Sequence, residues 1–258
     1  MPDIDFSQLT DVGCVREGNE DAIAFWPHED GMVFAVADGM GGLNAGEVAS
    51  SLALEVIGRE LDRAPANWSV DKRLRRAIQE ANIAIHQKGL TVPELCRMGT
   101  TLTASAVTGN TLVAAHVGDC RLYLLRDGQL TQLTKDHTWV SEQVEYGILS
   151  PEEARTHPRR NMVTRSLGQH LIVGIDILQR EVQVGDVLLQ CCDGVHTLLP
   201  DADLIPILRG QPAAAACREL IQQARERGGH DNLSVQVAKI ASCPPPSAAR
   251  SSWWRFGR

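Results

Sequence analysis

Between Thr100 and Leu133 the chain alternates strand-like runs with two-residue turns, and this spacing restricts the fold more than any other feature. Thr100–Thr108 and Thr111–Val117 flank Gly109-Asn110, while Arg121–Arg126 and Gln129–Leu133 flank Asp127-Gly128. Such short loops join antiparallel neighbours, whereas a parallel crossover needs a dozen or more residues. Strand patterns also cover Ala22–Trp26, Met32–Ala37, Asp176–Glu181, Asp186–Cys192 and Ser234–Ile240, and the segment before Ala22 reads as polar and turn-like. Helical periodicity comes in pairs. Val48, Ala49, Leu52, Ala53, Val56 and Ile57 recur at three and four from Gly46 to about Leu61. Val70, Leu74, Ala77, Ile78, Ala81 and Ile85 repeat the pattern behind Ser69 as N-cap. A second pair spans Asp201–Arg209 and Pro212–Arg227, and short helices are expected near Thr138–Tyr146 and Pro151–Thr156. Clustered hairpins with paired helices indicate α+β, not a parallel doubly wound sheet.

Composition narrows the class. With 258 residues, 43% hydrophobic and 22% charged, the chain has ample material for a core. A net charge of −7 implies no basic face for nucleic acid. No apolar run approaches the roughly 20 residues that span a bilayer. Met1-Pro2-Asp3-Ile4-Asp5 lacks the basic and apolar regions of a secretory signal. Seven cysteines without a C-x-x-C suit a reduced, cytoplasmic protein. The expected domain is 1–241. Residues 242–258, with Pro244-Pro245-Pro246 and Trp253-Trp254-Arg255-Phe256, read as a disordered tail, with docking on a partner as the alternative.

Acidic residues stand where strand-like runs meet glycine or polar turns. Asp38 closes Met32–Ala37 before Gly39-Met40-Gly41-Gly42, and Asp193 closes Val187–Cys192 before Gly194. Asp119 follows Val113–Gly118, and Asp231 precedes Leu233–Val237. If the fold brings them together their repulsion demands a cation, and hard oxygen donors suit Mg²⁺ or Mn²⁺, not zinc. The reading is a metal-dependent hydrolase site.

Taken in order, Asp11-Val12-Gly13-Cys14-Val15-Arg16-Glu17-Gly18-Asn19-Glu20-Asp21, Val36–Gly42, Val117-Gly118-Asp119-Cys120-Arg121, Cys192-Asp193-Gly194 and Gly229–Ser234 resemble the metal-dependent PP2C-type (PPM) protein serine/threonine phosphatases, in their bacterial form. The resemblance covers about residues 7–240. It implies two packed antiparallel sheets flanked by helix pairs, a four-layer αββα sandwich with metals in a cleft at one edge. It further implies that Asp38 bridges two Mn²⁺ or Mg²⁺ ions and that the Gly39 carbonyl faces one of them. Asp193 and Asp231 are implied as ligands of the other ion. Asp21 serves the second metal or its water, with Glu20 as a substitute, and Asp119 with Asp193 outlines a third site. Arg16 corresponds to the residue that grips the substrate phosphate, where a planar guanidinium outperforms lysine. The implied reaction is hydrolysis of phosphoserine and phosphothreonine esters by metal-activated water, opposing a serine/threonine kinase. Met40 stands where some members carry a histidine acid, so no general acid is assigned.

Rival readings attach to the same residues. A pseudophosphatase binding module would lack ligands that are all present here, and a phosphohydrolase of nucleotides or metabolites would differ in cleft shape. Cys120–Arg126 fits C-x5-R, but its bulky, strand-like character is wrong for a phosphate loop. Gly39–Gly46 lacks the ending of a nucleotide-binding P-loop. Cys120 and Cys192 invite a redox role, though small buried side chains are the simpler account. His196 and His230 are candidates for contact behind the ligands. The stretch around His157–Arg165 resembles the flap of bacterial relatives and reads either as a solvated loop or as a substrate-facing element.

Overall fold

A computed structural model describes residues 2–28, 31–41 and 45–243. Its elements are β1 (Asp3–Asp11), β2 (Asp21–His28), β3 (Gly31–Met40), α1 (Ala45–Arg63), α2 (Val70–Thr91), a 3₁₀ turn at Pro93–Leu95, β4 (Gly99–Thr100), β5 (Leu102–Thr108), β6 (Thr111–Val117), β7 (Arg121–Arg126), β8 (Gln129–Gln132), α3 (Trp139–Glu145), α4 (Pro151–Thr156), β9 (Asp176–Glu181), β10 (Val187–Cys191), α5 (Asp193–His196), α6 (Asp201–Gly210), α7 (Ala213–Glu226) and β11 (Leu233–Ser242). One sheet runs β1-β11-β10-β7-β8 and the other β2-β3-β5-β6-β9, with β4 added to β3. Every pairing is antiparallel, as the hairpin turns require. Both turn signals have the expected backbone: Gly109 takes φ +59°, and Asp127 and Gly128 take φ +51° and +83°.

Three apolar clusters build four layers. Met32, Phe34, Leu112, Leu122, Leu188 and Ile240 pack between the sheets. On the outer face of the second sheet, Ala35, Ala37, Ala104, Ala106 and Ala115 are small enough for α1 and α2 to lie close. Tyr123, Leu189, Val235 and Val237 meet α6 and α7 on the other side. The expected αββα sandwich is the one observed.

Several local expectations change. The first segment is not a turn region: β1 pairs with β11 from Asp3↔Ser242 to Asp11↔Leu233. Its polar side chains are used inward or as caps. Gln8 accepts from the Gln236 side-chain amide at 2.7 Å, and Asp5 Oδ2 accepts from the Ala213 amide at 2.8 Å, capping α7 from another element. Ser69 does precede α2, but its hydroxyl makes no capping bond, and the helix continues to Thr91. Asp38 lies inside β3, not at its end, because β4 prolongs the pairing through Gly39↔Thr100. Asp193 opens the short helix α5, an element without a periodic signature in the sequence. Within the Cys120–Arg126 stretch, Arg121–Arg126 is strand β7, with its backbone committed to β10 and β8. Residues 244–258, with most of the expected tail, lie outside the described residues.

Candidate metal centre

The aspartates come from separate parts of the chain and meet where the two sheets face each other. Asp21 and Asp38 are direct cross-strand partners of β2 and β3. The Asp38 carbonyl accepts from the Thr101 amide and the Thr100 hydroxyl, both at 2.9 Å, so this segment of β3 is held rigidly. Asp193 enters from the other sheet, at the end of β10, and Asp231 from the turn before β11. Asp119 follows β6 in a turn pinned by His137. That residue's amide donates to the Gly118 carbonyl at 2.7 Å, and its Nδ1 accepts from the Gly118 amide at 2.9 Å. With Nδ1 accepting, Nε2 carries the proton and donates to Asp176 Oδ2 at 3.1 Å.

The carboxylates disturb one another as electrostatics demands. Burial, then the neighbouring charges of Asp193 and Asp231, pushes Asp21 up to about 7, against the easing effect of Ser234 and the Cys192 thiol. Asp119 is raised to about 8 by burial and by Asp193 and Asp136. Asp38 is held well above its ordinary range by burial and then by Asp21, Asp193, Asp119 and Asp231. Asp193 is also raised, first by burial and then by Asp231. Asp38 and Asp193 stand within hydrogen-bonding reach, which two carboxylates manage only by sharing a proton or a cation. Asp21 Oδ2 is buried with no hydrogen-bond partner. A buried, unpartnered carboxylate oxygen amid like charges is a donor suited to a hard divalent ion. Among the described residues, no group of three or more His, Cys, Asp or Glu side chains stands in position to hold a metal ion as the side chains are placed. Asp231 turns instead to Arg16 at 2.8 Å, an exposed pair with 49% and 39% of the side chains accessible.

The Arg16 loop is fixed by its neighbours. Asn232 donates to the carbonyls of Val12 and Gly18, both at 3.0 Å, and accepts from the Glu20 amide at 2.8 Å. Gly13, at φ +84°, leaves no room for a side chain: a Cβ there would lie 2.2 Å from the Asp231 carbonyl oxygen. The sequence motif contains Asn232, but nothing in its spacing reveals that it staples two loops across more than two hundred residues. Gly39 is equally confined, since a Cβ would meet the Gly46 and Glu20 carbonyl oxygens at 2.2 and 2.5 Å. Glu20 itself directs its carboxylate at the first turn of α1, where a Cβ on Gly46 would come within 2.7 Å of it.

A cavity of about 810 Å³ adjoins the carboxylates, lined by Asp119 and Asp193, by Asp136 and Arg121, and by Arg160 and Asn161 among others. Asp136 and Arg121 form a pair at 2.7 Å that no sequence motif announced. Of the two histidines singled out, His196 bonds to the Asp119 carbonyl oxygen at 3.0 Å, and His230 is exposed over Gly228. Cys120 and Cys192 are fully buried, and burial pushes both thiols well above their usual range, as expected of inert packing groups. The flap stretch folds back on α3: Thr138 bridges Val163, and the Trp139 ring packs 4.9 Å from His157.

A family model described as protein phosphatase 2C matches residues 15–237. The chain is 39% identical over 235 residues to the serine/threonine protein phosphatase PstP of Mycobacterium tuberculosis, covering 91% of this chain and 45% of that protein. It therefore spans a little under half the length of that relative. Identity to the serine/threonine phosphatase stp of Listeria monocytogenes is 36%, over 89% of this chain and 93% of the relative. The crystal structure of the M. tuberculosis phosphatase PstP/Ppp superposes with a TM-score of 0.85 at 39% identity, over 93% of this chain and 99% of that one. The catalytic domain of PstP in complex with two manganese ions gives 0.83 at 38% identity, with coverage of 93% and 99%. Agreement that runs unbroken from the Arg16 loop into the last strand, on a shared sandwich, places this chain in the protein phosphatase 2C family.

Proposed function

We propose that this chain hydrolyses phosphoserine and phosphothreonine esters of proteins, using Mn²⁺ or Mg²⁺ held by the clustered aspartates. The observation that carries the reading is the shared rise of Asp21, Asp38, Asp119 and Asp193, with the buried Asp21 Oδ2 left unpartnered. In the assignment we favour, the residues that would hold the ions are Asp38, shared between two of them, the Gly39 carbonyl with Asp21 or Glu20 for one, Asp193 and Asp231 for the other, and Asp119 with Asp193 for a third. When bound, the ions neutralise the carboxylates and activate water for in-line attack at phosphorus.

The protein's own groups do the rest by position. Arg16 stands at the open rim, paired with Asp231, and its guanidinium can exchange that carboxylate for two phosphate oxygens. The adjoining cavity, with Arg155, Arg160 and Asn161 on its wall, has the size to receive residues beside a phosphorylated side chain. No side chain is assigned as general acid: Met40 cannot serve, and His196 is committed to Asp119. We place the domain at residues 1–241, the substrates among the targets of a serine/threonine kinase, and the protein in the cytoplasm. Among the described residues, no helix is long and apolar enough to cross a membrane.

The test is hydrolysis of phosphopeptides and of nucleotides by the full chain after EDTA treatment, with each metal added back. Phosphopeptide turnover restored by Mn²⁺ or Mg²⁺ is the expected result. Full activity in excess EDTA, or turnover of nucleotides alone, would overturn the reading.

A further inference from the structure

The opening turns of α2 carry Lys72, Arg73, Arg75 and Arg76 against only Asp71 and Glu80. Cations at the positive end of a helix oppose its macrodipole, and this group stands on a chain of net charge −7. Internal bonding accounts for little of the charge. Arg76 pairs with Glu80 at 2.9 Å, and Arg73 donates to the carbonyls of Ala66 and Trp68. Lys72 Nζ sits 4.1 Å above the Trp68 ring, and Arg75 donates to the Ile175 carbonyl at 3.3 Å. Among the described residues, neither Lys72 nor Arg75 has a carboxylate at ion-pairing distance.

Lys72, Arg75 and Arg76 border a cavity of about 320 Å³, whose lining also includes Trp68, Val173 and Ile175. Next to it Leu171 and Ile172 are 55% and 80% exposed. Their exposure is not that of a slack loop. Gln79 and Asn82 both donate to the Leu171 carbonyl at 3.0 Å, Asn82 also reaches the His170 carbonyl, and it accepts from the Gly168 amide. A row of polar side chains along α2 thus holds residues 168–175 with two large apolar side chains facing outward. Apolar anchors ringed by unneutralised cations are the chemistry of a peptide-binding surface, not of a plain solvated face.

We propose that this pocket docks an acidic peptide segment of a partner protein. One apolar side chain of the segment lies against Trp68, Val173 and Ile175, and flanking Asp or Glu residues pair with Lys72 and Arg75. Charge complementarity selects the occupant, and the volume, at the low end of the ~300–1,000 Å³ usual for small-ligand sites, suits a side chain with its backbone. The segment lining the pocket continues into Asp176, which is bound by Arg165 at 2.7 Å and by His137, the residue that pins the Asp119 turn. Docking here would tether a protein at the end of the strap that leads to the carboxylate cleft, raising its local concentration there. The site does not depend on the metal chemistry.

The experiment titrates the full chain, in EDTA, into a fluorescein-labelled, unphosphorylated peptide rich in Asp and Glu with Leu and Phe between them. Saturable binding is expected. It should weaken at least tenfold in Lys72→Glu/Arg75→Glu, fall steeply with salt, and vanish when the acidic residues become Asn and Gln. Hydrolysis of p-nitrophenyl phosphate and the far-ultraviolet circular dichroism of the variant should match the parent. Should that variant not fold, Lys72→Gln/Arg75→Gln, which removes the same two exposed charges without reversing them, is expected to lose affinity in the same way. Equal binding by parent and variant overturns the proposal. So does tighter, variant-sensitive binding to phosphatidylserine vesicles than to the peptide, since that would make the surface a lipid site.

Discussion

Asp193 illustrates how a side chain proposed for the chemistry can be costly to the fold. Burial and the neighbouring Asp231 raise it, and it meets Asp38 within hydrogen-bonding reach. Replacement by Asn removes one charge from a repulsive cluster while keeping the shape. Asp193→Asn and Asp38→Asn are therefore expected to lower p-nitrophenyl phosphate hydrolysis on the order of a thousandfold or more. In excess EDTA their melting temperatures should equal or exceed that of the parent. A fall in melting temperature would mean that these carboxylates support the fold, contrary to the mutual repulsion argued above. Arg16 calls for a different measurement, because it lies at the rim with about half its side chain accessible. Arg16→Ala should act mainly through KM for a phosphopeptide, by roughly tenfold or more for a lost charge-assisted pair. Arg16→Lys should restore little of it, since an ammonium cannot grip two oxygens in a plane. An unchanged KM in both variants would remove Arg16 from phosphate recognition.

At the scale of elements, the meeting of β3 with α1 is the most demanding contact in the molecule. Gly39 and Gly46 lie so close that a Cβ on Gly39 would stand 2.2 Å from the Gly46 carbonyl oxygen. Backbone cannot yield as a flexible side chain does, so Gly39→Ala should cost about 3 kcal/mol, at the upper end of overpacking. That corresponds to a drop on the order of 10 °C in melting temperature. Gly18→Ala, with nothing within 4 Å, is the control and should be nearly neutral. These two glycines look alike in the sequence, and only the packing separates them. Elsewhere the elements were legible where periodicity and turn chemistry agreed, as in the hairpins at Gly109-Asn110 and Asp127-Gly128 and in the helix pairs. The aspartates were legible too, because strand-to-turn junctions and motif order both point to them. β1 was not, for a physical reason. Its inward positions include Gln8, which joins a seam of Gln236, Gln190 and Ser105 between the sheets, and Asp5 caps a distant helix. A strand whose polar groups are satisfied by partners two hundred residues away carries no local signature of burial. Asn232 and the Asp136–Arg121 pair were hidden for the same reason.

For the whole molecule, the carboxylate cluster sets how stability follows pH. Asp21 at about 7 and Asp119 at about 8 hold protons in the folded protein that the unfolded chain has already released, and Asp38 acts in the same direction. Groups raised on folding contribute stability that is lost as pH rises through the folded value. Buried histidines work the other way: burial lowers His116 to about 4 and His196 to about 3, so stability gained from them is complete only above the ordinary histidine range. The two effects oppose each other below about pH 6.5, and above it the histidines are neutral in both states. From pH 6.5 to 8.5 the protein in excess EDTA should therefore lose stability, by about 1.4 kcal/mol per pH unit for each proton released. Saturating Mn²⁺ should flatten that slope, because a divalent ion takes over the role of the bound protons and binds only the folded arrangement. Asp193→Asn should reduce the slope in EDTA by relieving its neighbours. Melting curves across this range, with and without Mn²⁺, decide the matter. A flat profile in EDTA would mean that the aspartates ionise independently, and then no cation would be needed to hold them together.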